Sequence, residues 1–288
     1  MAVDRIPAPA LFAVSGLTQY AGAALAVPLF ALGPADGVAW GRIAFAALVL
    51  LAWRRPWRAR LTRRDLAITA GFGLALAAMN ITFYLAIDHL PLGTAVAIEF
   101  LGPVAVAAAT GRGARERLAI LPAAAGVVLL AGVVLDPDRP GTAAGLGWIL
   151  VAAACWAAYI LAGRRVALTG DGVTRLAIGM AAGALVTAPF LAGRAAPVLT
   201  SAGPALTLLG VAVLSSVVPY AIEQVTLRRL SAATFAVMLA LLPATATVVG
   251  LVALRQVPGP AEVGGLVLVS VAIAMTSRRT PPDPAGSA

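Results

Sequence analysis

Charged side chains are scarce in this 288-residue chain, where they make up 11% of the residues against 61% for hydrophobic ones. Soluble domains carry about 25% charged residues, so the composition excludes an ordinary soluble fold. Cysteine and histidine occur once each, as Cys155 and His89. An internal disulfide, a cysteine–histidine zinc site and a HExxH metal motif are therefore excluded, and a Ser-His-Asp triad would have to use His89.

Apolar residues, by contrast, come in runs of roughly 18 to 25, the length of a helix that crosses a hydrocarbon core ~30 Å thick. The runs lack the alternation of a half-buried strand, and helices satisfy their own backbone hydrogen bonds, as lipid requires. The sequence therefore predicts an all-α integral membrane protein with ten transmembrane helices. The predicted spans are 8–32, 37–53, 66–87, 92–110, 118–135, 145–163, 175–192, 204–224, 231–254 and 260–277.

The basic residues are all arginines, 21 in number, and lysine is absent. They form short clusters between the apolar runs, which argues against a nucleic-acid-binding face. With the N-terminus inside, seventeen of the 21 arginines fall in cytoplasmic segments and three in external loops. The positive-inside rule then predicts that both termini are cytoplasmic. The Pro-rich residues 278–288 are expected to form a disordered cytoplasmic tail.

A weak internal repeat appears at an offset of 140 residues. Asn80 then aligns with Tyr220 and Pro103 aligns with Pro243. Each repeat contains five predicted helices, an odd number, so the second must enter the membrane upside down. The sequence thus predicts two inverted five-helix repeats, at 8–135 and 145–277, as in many secondary transporters. A chance match in a chain rich in Ala, Leu and Val is the alternative.

Ionisable residues inside predicted spans are costly and are candidates for function. Glu99 lies seven residues into the fourth span, roughly 10 Å below the outer surface at ~1.5 Å per residue. The second span also begins at the outer surface, and Arg42 lies at a similar depth within it. A substrate or proton site and a structural Arg–carboxylate pair are both compatible with this placement, and Arg42 could instead extend to the outer interface.

Polar side chains recur at helical spacing in two other spans, and we predict that they line the same substrate and proton pathway. They are Asn80 and Tyr84 in the third span, and Tyr220 and Glu223 in the eighth. Helix-to-helix hydrogen bonding is the alternative reading of such stripes.

Small and cyclic residues inside the spans add predictions about helix geometry. Pro103 and Pro243 are expected to break the fourth and ninth helices, and broken helices are where transporters place substrates. Gly179 and Gly183 form a GxxxG pattern, which predicts a close helix contact on the seventh span.

The stretch from Asn80 to Pro103, NITFYLAIDHLPLGTAVAIEFLGP, resembles the drug/metabolite transporter superfamily of EamA-domain proteins, and within it the threonine/homoserine exporter (RhtA-type) branch. GAALA from Gly22, ACWAAYILAG from Ala154 and SSVVPYAIE from Ser215 extend the likeness over nearly the whole chain. The chain departs from that branch at three places, with Val27 for a usual Lys, Leu242-Pro243 for Glu-Pro, and Arg255-Gln256 for Gly-Glu.

The resemblance implies a ten-helix inner-membrane exporter of small metabolites such as amino acids, and it implies no bound cofactor. Its expected partners are the lipid bilayer and a small-molecule substrate. Arg42, Glu99 and the tyrosines offer groups for the carboxylate and ammonium of a zwitterion, and Glu99 is a candidate proton carrier. The alternatives are an exporter of another metabolite or drug, an intramembrane lipid-modifying enzyme, and a non-transporting scaffold. The enzyme is disfavoured because no aspartate lies firmly inside a span.

Overall fold

The computed structural model of the chain describes residues 8–58, 61–110, 113–134, 141–167, 172–227 and 242–275. Throughout these residues the regular structure is helical, and no strand occurs among them. The α-helices are α1 Ala8–Ala26, α2 Ala35–Arg54, α3 Arg63–Ile87, α4 Leu92–Glu99, α5 Leu101–Thr110, α6 Ala114–Leu118, α7 Ile120–Val134, α8 Thr142–Ala167, α9 Gly172–Leu199, α10 Ala202–Ala212, α11 Val218–Leu227, α12 Leu242–Leu254 and α13 Pro260–Met275. The prediction of an all-α chain is confirmed for this part of the protein.

Seven helical segments of the described residues are long and apolar enough to cross a membrane. They are Ala13–Ala31, Ala35–Arg54, Arg63–Ile87, Leu92–Thr110, Thr142–Ala162, Gly172–Leu199 and Ala202–Ile222. Three shorter apolar helices, Ile120–Leu130, Leu242–Leu254 and Pro260–Met275, coincide with the fifth, ninth and tenth predicted spans. The beginning of the ninth predicted span, residues 231–241, lies outside the described residues, as does the predicted tail at 278–288.

Two predicted spans are interrupted. The fourth is divided at Phe100 into α4 and α5. In the eighth, one turn of π-helix, Val213–Val217, separates α10 from α11. An inserted π-turn changes which side chains face a neighbouring helix, and such turns occur frequently at functional sites.

Large apolar side chains cover the outside of the helix bundle, where a soluble protein would carry charge. Phe190 is 78% exposed and Leu185 is 73% exposed, both on α9. Val252 of α12 and Val128 of α7 are exposed to a similar degree. Contiguous exposed apolar surface marks an interaction with membrane or protein, and here it extends over several helices, as expected for contact with lipid.

The helices pack in pairs that join the beginning of the chain to its end. α1 packs against α11 and α12, and α8 packs against α3 and α4. In addition, α2 packs against α9 and α10, α3 against α9, α4 against α12, and α7 against α13. The first five predicted spans therefore do not form a separate body; their buried faces lie mainly against the last five.

Glycines allow α3 and α9 to approach until their backbones touch. A Cβ atom on Gly73 of α3 would overlap the backbone carbonyl of Gly179 on α9. A Cβ atom on Gly183 would lie 2.7 Å from the carbonyl oxygen of Gly73. Small residues at such contacts are the usual means by which membrane helices pack closely. The predicted close contact at Gly179 and Gly183 is confirmed, and its partner is Gly73.

Candidate functional site

Arg42 lies in the interior of the bundle, where only 4% of its surface is exposed. It comes from the second turn of α2, and two groups on the π-turn receive its hydrogen bonds. Its Nε donates to Ser216 Oγ at 2.9 Å, and Nη2 donates to the carbonyl oxygen of Ser215 at 3.1 Å. These bonds satisfy two of the five donor hydrogens of a guanidinium. The rest of the fork remains available for an anion.

The π-turn that receives Arg42 is itself fastened to α1. Ser215 Oγ donates to the carbonyl oxygen of Gln19 at 2.9 Å. A second bond joins the same two parts of the chain: Ser15 Oγ of α1 donates to the carbonyl oxygen of Pro219 at 3.3 Å. Gly22 of α1 lies directly against Ser215, where a Cβ atom would overlap the serine hydroxyl. The acceptors of Arg42 are thereby held in place by three elements: α1, α10 and α11.

Tyr84 of α3 packs beside Arg42. The Arg42 guanidinium carbon lies 5.2 Å from the centre of the Tyr84 ring, a cation–π contact. The edge of the Phe30 ring packs against the same tyrosine, with ring centres 5.8 Å apart. Tyr84 is 0% exposed, and its hydroxyl oxygen has no hydrogen-bond partner among the residues that the structure describes. A buried hydroxyl without a partner is costly, so its retention in this position requires an explanation.

Glu99 is the last residue of α4 and is 8% exposed. Arg42 is near enough to act on its carboxylate electrostatically. Among the described residues, however, no N···O distance within the 4.0 Å limit of an ion pair joins the two side chains. The direct Arg–carboxylate pair considered from the sequence is therefore not formed here. Arg42 is held by serines and Tyr84 instead.

The helix break at Phe100 has a local cause that also involves Glu99. In an α-helix, the carbonyl of a residue accepts from the N–H four positions later. The residue four positions after Glu99 is Pro103, which has no N–H. The bonds on either side, from Phe100 N to Val96 O and from Val104 N to Phe100 O, are present. Glu99 thus combines a buried carboxyl with a backbone carbonyl that has lost its helical donor.

Together, Arg42, Tyr84, Glu99, Ser215 and Ser216 form what we call the buried arginine site. It contains a cation, an unpartnered hydroxyl and a carboxyl, brought by α2, α3, α4 and the π-turn. These groups match a small molecule that carries both a carboxylate and an ammonium. Among the described residues, no cluster of His, Cys, Asp and Glu could hold a metal ion.

The sequence of this chain is similar to those of known membrane transporters. Residues 143–278 match the EamA-like transporter family. The threonine/homoserine exporter RhtA of Escherichia coli (strain K12) is 36% identical over 264 residues, which cover 90% of this chain and 88% of that protein. RhtA of Salmonella typhimurium (strain SL1344) is 36% identical over 277 residues, covering 94% and 92%. The chain belongs to the EamA-like transporter family.

The resemblance predicted from the sequence is thereby confirmed, and the chain is a transporter of the inner membrane with multiple helices rather than an enzyme. A solved crystal structure that is 17% identical to the chain has the same fold, with a TM-score of 0.61 over 93% of this chain and 95% of its own. At that identity the likeness concerns the fold alone.

The structure describes the other residues predicted for the pathway only in part. Asn80 is buried one turn before Tyr84, but its side-chain nitrogen donates within α3, to Leu76 O at 2.7 Å. Tyr220 is buried on α11. The backbone of Glu223 belongs to α11, and its side chain lies outside the described residues. Pro243 is buried in the first turn of α12, and residues 228–241 lie outside the described part of the chain, so the predicted helix break there stays a prediction.

Sequence reasoning missed the role of the π-turn. Ser215 and Ser216 were recognisable as polar residues in an apolar span, and hydroxyls of this kind usually bond within their own helix. Their use as acceptors for Arg42 depends on the extra residue in the turn. We find no sequence signal that predicts this turn.

Proposed function

We propose that this chain is a secondary transporter that exports small amino acids with a polar side chain, such as threonine and homoserine, in exchange for protons. The observation that carries the proposal is the 36% identity to threonine/homoserine exporters over 90% of the chain. The chemistry of the buried arginine site supports it independently, because cation, hydroxyl and carboxyl are the groups that an amino-acid zwitterion requires. The proposal assigns a substrate class; the family assigns only transport.

In the proposed complex, the free N–H groups of Arg42 bind the substrate carboxylate, as guanidinium forks do. The Tyr84 hydroxyl donates to the same substrate and so gains the partner it otherwise lacks. The Glu99 carboxylate binds either the substrate ammonium or a proton, but not both at once. This alternation couples the export of substrate to the entry of protons. Asn80, Tyr220 and Glu223 line the route to either side of this point.

We further propose that residues 8–135 and 145–277 are inverted repeats related by a two-fold pseudo-axis in the membrane plane. The helix pairs support this. Exchanging α1 with α8, α2 with α9, α3 with α10–α11, α4 with α12 and α7 with α13 converts the helix pairs given above for the overall fold into one another. Because five spans is an odd number, the repeats then have opposite orientations, and the arginine distribution places both termini in the cytoplasm.

Export by purified protein in liposomes is the direct test. We expect right-side-out vesicles loaded with labelled threonine or homoserine to release it faster than empty-membrane controls, and a proton gradient directed inward to accelerate the release. Labelled leucine, which lacks the polar side chain, and a sugar serve as comparison solutes. Release of none of the amino acids above the control rate would contradict the proposed function.

Tyr84→Phe tests the part played by the unpartnered hydroxyl. If the hydroxyl binds substrate, its removal should raise KM by about three- to tenfold, the cost of one hydrogen bond of about 0.5–1.5 kcal/mol. The melting temperature should not fall, because the hydroxyl has no partner within the described part of the chain. Tyr20→Phe, on a buried tyrosine of α1 outside the site, is the matched control and should leave KM unchanged. An unchanged KM in Tyr84→Phe would refute the contact.

A further inference from the structure

A polar cavity lies between the beginning of α4 and the connection between α12 and α13. Its volume is about 410 Å³, within the range of small-molecule sites. We call it the loop cavity. Its polar walls and its principal apolar wall are provided by Thr94, Thr247, Arg255, Gln256, Glu262 and Leu266. None of these residues belongs to the proposed pathway.

Glu262 is the buried acid of the loop cavity. It lies in the first turn of α13 and is 8% exposed. Thr94 Oγ1 of α4 donates to its Oε1, and the backbone N–H of Gly259 donates to its Oε2 at 3.2 Å. A carboxylate has about four acceptor positions, so each oxygen retains capacity for another donor. The two contacts fix the carboxylate in the wall of the cavity.

Arg255 brings the opposite charge to the same cavity. Its backbone is left-handed, with φ of 56°, although it is not a glycine. Such a conformation is costly and persists only where the surroundings enforce it. Here the next residue enforces it: Gln256 N donates to Gly250 O at 3.1 Å, and Gln256 Oε1 accepts from Leu92 N at 3.0 Å.

Arg255 and Glu262 line one cavity without forming an ion pair within the described part of the chain. A cation and an anion held apart across a space of this size match a ligand that carries both charges. A single anion or cation would satisfy only one wall. The ligand class that satisfies both walls is a small zwitterion.

We propose that the loop cavity is a second binding site for a zwitterionic α-amino acid, with Arg255 bound to its carboxylate and Glu262 to its ammonium. In the proposed orientation the cavity lies at the outer end of α4, α12 and α13. It would therefore hold substrate after release from the buried arginine site, or amino acid from outside. The identification as an export-side site rests on the proposed function, and the binding chemistry does not.

Thiol protection tests the site. In a Cys155→Ala background, Val257→Cys places a thiol on the cavity lining at a position that is 79% exposed. A membrane-impermeant reagent added outside should modify it. External L-threonine should slow the modification about tenfold at about nine times its Kd. Threonine methyl ester, without the carboxylate charge, and N-acetylthreonine, without the ammonium, should protect far less.

Three variants decide the interpretation. Arg255→Gln, on an exposed side chain, and Glu262→Gln should each remove most of the protection. Glu99→Gln should keep it, because that residue belongs to the buried arginine site. Ser201→Cys, exposed in the turn between α9 and α10, is the control thiol and should react equally with and without threonine. Should Glu262→Gln fail to fold, Arg255→Gln still tests the cavity.

The opposite results would overturn the site. Protection that survives in Arg255→Gln, or that disappears in Glu99→Gln, would assign the effect to the buried arginine site. Absence of protection while liposomes still export threonine would eliminate the second site and leave the proposed function intact. Failure of the Val257→Cys thiol to react from outside would show that the cavity does not face that side. Failure of export itself bears only on the proposed function.

Discussion

Glu99→Gln is expected to reduce amino-acid export to the level of protein-free liposomes while the variant inserts and folds at the normal yield. The amide keeps the size of the side chain but can neither carry a proton nor offer a negative charge to an ammonium. Loss of one charge-assisted contact, about 1.5–3 kcal/mol, lowers the rate of export at least about tenfold. Loss of the proton carrier also removes the increase in export that the proton gradient produces. Release of labelled threonine with and without a proton gradient measures both.

The structure also predicts why folding should survive this change. Arg42 is already held by Ser216 Oγ, the Ser215 carbonyl and the Tyr84 ring, so it does not depend on Glu99 for a partner. If Glu99 served only to balance Arg42, the double change Glu99→Gln with Arg42→Met would restore export. Export near the wild-type rate in that double variant would refute the functional role.

A matched control separates the buried carboxyl from acidic side chains in general. Asp88→Asn makes the same chemical change at an exposed position where α3 ends. It should leave export and its dependence on the proton gradient unchanged. Equal loss in both variants would show that the effect is not specific to the buried arginine site.

Gly73→Ala is expected to destabilise the protein by about 1–3 kcal/mol, the usual cost of overpacking. Alanine is the better helix former by about 1 kcal/mol, so the propensity of the residue alone would predict the opposite sign. The added Cβ atom, however, overlaps the backbone of Gly179, which has no side chain that could move away. The melting temperature in detergent and the fraction of folded monomer after size-exclusion chromatography measure the loss.

Gly71 provides the control within the same helix. It is exposed, and a Cβ atom there would have nothing within 4 Å. Gly71→Ala should therefore keep or slightly raise the melting temperature. A Gly73→Ala protein as stable as Gly71→Ala would mean that α3 and α9 do not meet as described.

The helices were predictable from the sequence because the thickness of the lipid bilayer sets their length. A run of apolar residues long enough to cross a bilayer predicts a helix with boundaries good to a few residues. The predicted span 37–53 corresponds to Ala35–Arg54, and the span 66–87 corresponds to Arg63–Ile87. The same logic predicted interior positions for Arg42 and Glu99, and both are buried.

The contacts of those residues were less predictable. Residue counting gives the depth of a side chain in the membrane, but not the direction in which it points around the helix axis. Arg42 and Glu99 have similar predicted depths, yet they do not form a direct pair in the described residues. The partners of Arg42 lie 173 and 174 residues away along the chain and are presented by a π-turn. Pairing over such separations depends on packing that no single helix encodes.

The loop cavity was missed for a related reason. Glu262 lies inside the tenth predicted span, but an acid in the first turn of a helix is common because it complements the helix dipole. Its burial arises only when Thr94 of α4 is brought against it. Arg255 stood out only as a departure from the RhtA-type branch, and its place in the cavity was not predictable because its left-handed backbone depends on the contacts of Gln256.

The contact between Gly73 of α3 and Gly179 and Gly183 of α9 has a mechanical consequence. Most helix pairs interlock through side-chain ridges and grooves, so one helix can turn against the other only if rotamers change. At this contact, backbone meets backbone, and no side chain from the three glycines stands in the way. In the proposed orientation this contact lies in the cytoplasmic half of both helices, where the two halves of the chain can pivot against each other. Rotation about it can widen a gap on the opposite side of the membrane without unpacking the point of support.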